Sequence, residues 1–219
     1  TSHTNTTYNS TKEHILHTTA TVQLKDGDFE GCLGTIEVLM AEVREKLEGV
    51  EVHEALAPLY YLYGSTLLYS VEESEDLVNV NADGSVADGN AEDNAANDYM
   101  DAQLQQAEDL QIAWENLDLA RTIMQRMDVE AGSRSQRENQ ALVLDYAQVF
   151  MRLGDLQKAN GNYSGAIDDF TKCLELREPV LGRFDRKVAD CHYSIGTCCL
   201  MYASESEKSP ASAEMQPTG

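Results

Sequence analysis

Residues 150–176 read FMRLGDLQKANGNYSGAIDDFTKCLEL, and this stretch decides the fold. Apolar residues recur at helical spacing on both sides of a polar turn at 161–163. Two antiparallel helices joined by so short a turn pack closely only where side chains are small. Gly154 and Ala166 meet that need, and Phe170 fills the space beside them. The stretch therefore predicts a helix–turn–helix unit.

The offsets within this unit match the tetratricopeptide repeat: a large residue, Leu, Gly, then Gly-Asn-Tyr, then Ala and Phe. The same frame recurs more weakly elsewhere, with small residues at the equivalent first-helix position, which are Ala20, Gly64 and Gly196. A single helix pair cannot bury its apolar face alone, so the repeats are expected to stack. The sequence thus predicts an all-α tetratricopeptide-repeat solenoid.

One repeat is interrupted. The small positions are 44 residues apart from Ala20 to Gly64, 90 from Gly64 to Gly154, and 42 from Gly154 to Gly196. The surplus of roughly 47 residues exceeds one repeat length. The surplus precedes the helix that contains Trp114. In this second helix of the repeat, the Ala, Phe and small positions of the pattern are held by Ala113, Leu117 and Ala120. An insertion is therefore predicted to split the second repeat.

The surplus segment is acidic. The chain has 219 residues and a net charge of −22, yet residues 47–120 contain 17 acidic residues and no Lys or Arg. Such a concentrated negative field attracts cations and repels nucleic-acid phosphate. We expect a basic partner and no direct binding of nucleic acid. No apolar run approaches the length of a membrane span, so no membrane association is expected.

Periodicity predicts helices at about 12–24, 29–47, from 52, from 101, and at 136–159, 163–177 and 184–201. No convincing strand pattern interrupts them. The predicted organisation is a disordered segment at 1–11, a repeat domain at 12–201 with an acidic insert at about 71–109, and a disordered tail at 202–219.

Three segments carry a resemblance to a known family: AWENLDLARTIMQR at 113–126, LGDLQKANGNYSGAIDDFTKCLEL at 153–176 and RKVADCHYSIG at 186–196. With the split second repeat, they resemble the nuclear autoantigenic sperm protein family. The resemblance implies a histone chaperone for core histones three and four, in some members also for linker histone, and a location in the nucleus, with the cytoplasm left open. Here the fourth repeat stops after its first helix.

The acidic insert is the first candidate site. Many exposed carboxylates, each worth roughly 0–1 kcal/mol, together attract basic histone surface in a salt-sensitive way. The simpler interpretation is a solubilising loop, because long charged insertions cost little stability. The residues assigned to histone binding are Glu72, Glu73, Glu75, Asp76, Asp83, Asp88, Glu92, Asp93, Asp98, Asp101, Glu108 and Asp109.

The concave groove is the second candidate site. In stacked repeats, first-helix residues two before and one or five after the large aromatic position line the inner face. Asp190 and Tyr193, one helical turn apart, are suited to grip a histone helix by a charge-assisted bond and stacking. The simpler alternative is that Tyr193 packs against a neighbour. The other groove candidates are Tyr61, Ser65, Gln148, Met151, Asp155 and Thr197.

Metal and cofactor sites are not expected. The EF-hand-like fragment from Asn79 fails at its twelfth position, where Asn90 stands in place of a bidentate Glu. His14 and His17 lack a third ligand. The five cysteines are odd in number and contain no Cys-x-x-Cys pair, which favours small buried residues. No phosphate loop or nucleophile motif occurs, so the protein is not expected to be an enzyme.

Trp114 and the methionines are interpreted as packing residues. Trp114 is the chain's single tryptophan and is expected to be buried between the insert and the second helix of its repeat. Leu104 and Leu110 are placed with it on one broad apolar face. Four methionines are predicted to lie in the core, which are Met100, Met124, Met127 and Met151.

Two functions remain open on the sequence. The first is a histone chaperone that shields basic histones from DNA before nucleosome assembly. The second is an adaptor that binds a short peptide of another protein, with the acidic loop as solvated filler. Histone affinity that falls with rising salt favours the first. A homodimer also remains open.

Overall fold

The computed structural model describes residues 7–81, 92–129 and 136–208, and every regular element in these ranges is a helix. The predicted all-α class is therefore confirmed. A short 3-10 helix at Glu54–Leu56 precedes α4. The helices are α1 (Tyr8–Lys12), α2 (Ile15–Lys25), α3 (Phe29–Lys46), α4 (Ala57–Asn81), α5 (Glu92–Val129), α6 (Gln136–Ala159), α7 (Tyr163–Leu181) and α8 (Arg186–Lys208).

The chain divides into two compact units, residues 1–127 and 128–219. The first contains α1 to α4 and nearly all of α5, and the second contains α6 to α8. None of the described helices is long and apolar enough to cross a membrane.

Two turns show that the repeats share local chemistry. Gly27 (φ 77°) precedes α3, and Gly161 (φ 72°) precedes α7, each in the left-handed region that favours glycine. The next residues, Asp28 and Asn162, cap their helices by accepting from the backbone N–H three residues later, at 3.0 and 3.1 Å. Each second helix therefore begins in the same way.

The second unit confirms the close approach predicted from residues 150–176. A Cβ on Gly154 would lie 2.5 Å from the Phe170 ring, so only glycine fits there. Phe170 and Ala166 are buried with Cys198 of α8, and Tyr163 packs against this cluster. Helix α7 therefore lies between α6 and α8 as the second helix of one repeat and the neighbour of the next.

The interrupted repeat is assembled by α4 and α5. A Cβ on Gly64 would lie 2.8 Å from the Ala113 carbonyl oxygen and 2.9 Å from Leu117. Ala113, Leu117 and Ala120 are fully buried, as their assigned positions predict. The small residue before the insertion and the helix after it therefore form one pair, although 49 positions separate Gly64 from Ala113.

The described parts of the acidic insert differ from the simpler interpretation as a solubilising loop. Helix α4 continues to Asn81 and α5 already begins at Glu92, so the described parts of the insert are helical. Gln106 Nε2 donates to Ser74 Oγ at 2.8 Å, which joins the two helices beyond the repeat core. Residues 71–81 and 92–129 contain neither Gly nor Pro, and their Ala, Glu, Gln and Leu favour helix.

The termini and the Trp114 face also differ. Helix α1 lies within the segment predicted to be disordered, and α8 extends to Lys208, beyond the predicted end at 201. Trp114 is 39% exposed and Leu104 63%, and Met100 is also exposed. The predicted burial of these residues is wrong, because the buried stripe of α5 is narrow. The buried residues of α5 are Ala113, Leu117, Ala120, Ile123, Met124 and Met127, and the burial of both methionines was predicted correctly.

Candidate functional site

The acidic candidate site lies on the two extended helices of the first unit. Gly64 opposite Ala113 and Ser74 opposite Gln106 fix an antiparallel register for α4 and α5. This register brings Glu72 and Glu73 of α4 to the level of Glu108 of α5. No Lys or Arg occurs between residues 47 and 120, so acidic side chains carry all the formal charge of this stretch at neutral pH.

Helix α3 adds to the negative surface. Tyr63 Oη donates to Glu37 Oε1 at 3.2 Å. Burial raises the pKa of Tyr63, and the negative charges of Glu37 and Asp109 raise it further. Asp109 and Glu37 therefore act on one phenol from two different helices. Sequence patterns did not single out Glu37, because its neighbours come from α4 and α5.

An open pocket of about 350 Å³ lies beside this tyrosine. Its lining includes both apolar and charged residues. The guanidinium of Arg44, one of the lining residues, donates to Tyr60 Oη at 3.4 Å. The lining residues are Glu37, Met40, Ala41, Arg44, Tyr63, Ile112 and Asn116.

The remaining acidic candidates are Asp101, two residues between α4 and α5, and five residues within these helices. Asp101 is exposed on α5. Asp83 and Asp88 lie outside the described residues. Five more belong to α4 or α5, with side chains outside the described part of the structure, which are Glu75, Asp76, Glu92, Asp93 and Asp98.

Helix α8 presents the candidates from the fourth repeat. Tyr193 is 77% exposed and Asp190 is also exposed, so both side chains are available on the surface of this unit. Thr197 Oγ1 donates to the Tyr193 carbonyl oxygen at 2.9 Å, a bond within the helix. These three positions therefore remain candidates for contact with a partner.

The candidates on α6 are already engaged. Gln148 Oε1 accepts from Arg177 Nη2 at 2.5 Å, and the Met151 sulfur lies 3.9 Å from Arg177 Nη1. Asp155 pairs with Arg152 at 2.7 Å. Arg177, which lies on α7, thus contacts two of the three candidates on α6, although the sequence patterns did not single it out.

The signal for Arg177 is its place on an apolar stripe. Ala166, Phe170 and Cys173 are the buried positions of α7, and Arg177 continues them one helical turn later. A charged residue at a predicted core position needs a buried partner. The spacing of these four residues is therefore enough to mark Arg177 as a buried cation.

The candidates on α4 have different outcomes. Tyr61 is half-buried and belongs to the first unit. Ser65 is fully buried. The groove role predicted for Ser65 is therefore wrong, because the residue follows Gly64 on the side of α4 that packs inward.

The described residues contain no group of three His, Cys, Asp or Glu that could hold a metal ion. His14 instead caps α2, where its Nδ1 accepts from Leu16 N at 3.3 Å. Asn79 and Asn81 of the calcium-like fragment lie in α4, and the rest of that fragment lies outside the described residues. Four cysteines are buried and Cys199 is exposed.

Comparison with known proteins agrees with the repeat assignment. The family model SHNi-TPR matches residues 147–182, which include most of α6 and all of α7. The tetratricopeptide-like fold is thereby confirmed for this part of the chain.

Three curated relatives are similar over about half of the chain. "Histone-binding protein N1/N2" of Xenopus laevis is 34% identical over 99 residues, 45% of this chain. "Nuclear autoantigenic sperm protein" of Bos taurus and of Homo sapiens are 33% and 32% identical over 105 residues, 48% of this chain. The similar segment spans 15% of the Xenopus protein and 12% of each mammalian protein.

Proposed function

We propose that this chain is a histone chaperone of the nucleus, a function supported by its similarity to histone-binding protein N1/N2 and to nuclear autoantigenic sperm protein and by its SHNi-TPR match. Its proposed clients are core histones three and four, with linker histone as a further client to be tested. The observation that supports this function most is the pair of helices α4 and α5, whose acidic part beyond the repeat core lies within residues 47–120, where no Lys or Arg occurs.

The proposed mechanism is charge shielding by a structured surface. Helical carboxylates on α4 and α5 are held at defined positions, so less side-chain and backbone freedom is lost on binding than with a flexible polyanion. A histone bound there has its basic surface covered and competes less well for DNA. Glu37 of α3 enlarges this surface. Its carboxylate accepts a hydrogen bond from Tyr63, and the negative charge of Asp109 acts on the same tyrosine.

Helix α8 supplies the proposed second contact. The exposed Tyr193 ring and the Asp190 carboxylate offer stacking and a charge-assisted hydrogen bond to a basic helix. Gln148 and Met151 stay close to Arg177, so they take part through the shape of the surface. Division between an electrostatic contact and a shape-specific contact gives both speed and selectivity.

A titration of purified core histones against this chain at two salt concentrations tests the proposal. We expect affinity to fall steeply, by about tenfold or more, when salt rises from roughly 0.1 to 0.3 M, because exposed ion pairs are screened. A basic protein of similar charge, such as cytochrome c, serves as the control and should bind more weakly at both concentrations. Absence of histone binding at low salt, or equal affinity for the control, would contradict the chaperone and favour a peptide adaptor.

A further inference from the structure

Arg177 is a buried cation, with 4% of its surface exposed. Its guanidinium contacts the Gln148 amide oxygen, the Met151 sulfur, the Lys187 carbonyl oxygen and the Cys191 sulfur. Within the described part of the chain, none of these groups is a carboxylate. Buried charges in proteins are normally paired with an opposite charge. Among the four groups, only the Cys191 thiol can become an anion.

The Cys191 sulfur has three polar neighbours. Arg177 Nη1 lies at 3.4 Å, the Cys173 sulfur at 3.5 Å and the Lys187 carbonyl oxygen at 3.2 Å. Both thiols are fully buried between α7 and α8. A neutral Cys191 would donate to the Lys187 carbonyl. That carbonyl already accepts from Arg177 Nη1 at 3.0 Å, so it does not depend on the thiol.

Ionisation of Cys191 is favoured by the groups around it. The hydrogen bond between the two thiols, with the charge and hydrogen bond of Arg177, lowers the pKa of Cys191 to about 6, against burial and the charge of Asp190. The bond to Cys191 and burial raise the pKa of Cys173, and Asp155 adds to this while Arg177 opposes it. The two sulfurs are close enough to share one proton, and the guanidinium beside Cys191 favours the anion at that sulfur.

We propose that Cys173 and Cys191 form a redox-active dithiol, in which Arg177 holds Cys191 as a thiolate and a hydroperoxide is the oxidant. The thiolate sulfur attacks the terminal oxygen of the hydroperoxide, the O–O bond breaks, and the leaving oxyanion takes a proton from water. Cys191 becomes a sulfenic acid. The Cys173 thiol then attacks that sulfur, the S–O bond breaks, and the hydroxide leaves with the thiol proton as water. The two sulfurs together supply the two electrons that reduce the O–O bond.

The product is a disulfide between α7 and α8. The sulfurs are 3.5 Å apart and approach to about 2.0 Å in a disulfide. Oxidation would fasten α8, which presents Asp190 and Tyr193 on either side of Cys191. Because both thiols are buried, the oxidant reaches them when α8 opens locally, so the reaction is slow and depends on the stability of that helix.

Peptide mapping of the full chain tests the proposal. The protein is treated with hydrogen peroxide, its remaining thiols are alkylated after unfolding, and the peptides are identified by mass. We expect a Cys173–Cys191 cross-link as the main disulfide, with Cys32 and Cys198 alkylated. Cys199, which is exposed, reports oxidation that depends on access alone. No cross-link, or a cross-link no more abundant than pairs that include Cys199, would overturn the proposal.

Variants at position 177 test the role of the guanidinium. Arg177→Gln removes the charge and should slow cross-linking about tenfold, because less Cys191 is ionised at neutral pH. Arg177→Lys keeps the charge and should remain within about threefold of the wild type. Equal rates for Gln and wild type would show that Arg177 does not hold a thiolate.

A wild-type measurement covers the case in which a variant does not fold. The ultraviolet absorbance of the thiolate should rise near pH 6 in the folded chain. Cys191→Ser should abolish this rise, whereas Cys198→Ser, which replaces another buried thiol, should keep it. A rise that survives Cys191→Ser, or no rise below about pH 8, would overturn the assignment of the thiolate.

Discussion

At the scale of single residues, two glycines in equivalent places face opposite surroundings. Gly154 on α6 lies against Phe170, where an added Cβ would come within 2.5 Å of the ring. Gly196 occupies the same repeat position on α8, and an added Cβ there would have no neighbour within 4 Å. Sequence spacing assigns both to one position, but only the structure shows that one site is filled and the other is open.

The two sites give a matched pair of alanine substitutions. Overpacking in Gly154→Ala should lower the free energy of unfolding by about 1–3 kcal/mol. The higher helix propensity of alanine offsets roughly 1 kcal/mol of this loss. Gly196→Ala should raise it by up to about 1 kcal/mol, since only propensity changes. Urea unfolding of both variants measures the difference. Changes of the same sign would contradict the repeat frame around Phe170.

Residues also mark where prediction from sequence ends. Gly154, Ala166 and Phe170 were identified because their partners lie within one helical hairpin at fixed offsets. The partners of Arg177 and Glu37 were not identified, because they belong to other helices: Gln148 lies 29 positions before Arg177, and Tyr63 lies 26 positions after Glu37. Such contacts depend on how helices stack, and periodicity within one helix does not specify them.

At the scale of elements, α4 and α5 show how composition misleads. The many Asp, Glu and Asn residues of the insert favour the interpretation as a loop. The helical spacing of apolar residues is also weak there, because a helix with only one neighbour buries a narrow face. The better guide is the absence of Gly and Pro from 71–81 and 92–129, which leaves nothing to end either helix. The split repeat itself was predictable, because the spacing from Gly64 to Gly154 exceeds one repeat by a known amount.

Shortening the two helices tests whether the acidic extension is independent of the repeat core. Ser74 and Gln106 are hydrogen-bonded across the pair, so a glycine-rich loop of about five residues, the upper length for a helical hairpin, can replace residues 75–105. We expect the thermal midpoint to stay within about 4 °C of the wild type, because burial of the core begins on the other side of this bond. Circular dichroism should show the loss of helix.

The control is a longer deletion, from residue 67 to 113. It removes Leu67, Leu68 and Ala113, which are buried, and should prevent cooperative unfolding. If the shorter deletion also abolishes cooperative unfolding, the helical extension is part of the core and the register proposed for α4 and α5 is wrong.

At the scale of the whole chain, charge separates the two units. Residues 1–127 contain 24 acidic and 6 basic residues, whereas residues 128–219 contain 14 and 10. The exposed aromatic candidate, Tyr193, belongs to the second unit. The proposed function thus assigns salt-sensitive attraction to the first unit and specific contact to the second.

Two variants of the full chain distinguish these contributions. Neutralising Glu72, Glu73, Glu108 and Asp109 to amides should weaken histone binding roughly tenfold at low salt and little at high salt, because each exposed pair contributes about 0–1 kcal/mol and is screened. The same neutralisation of four exposed acidic residues in the second unit should change affinity less than threefold. This matched set is Asp168, Glu175, Glu178 and Glu205. Asp190→Ala with Tyr193→Ala should weaken binding at high salt as well as at low salt, since the stacking part of this contact is not screened. If the two acidic sets act alike, net charge rather than the α4–α5 surface attracts the histone, and if the double variant binds normally, α8 is not part of the site.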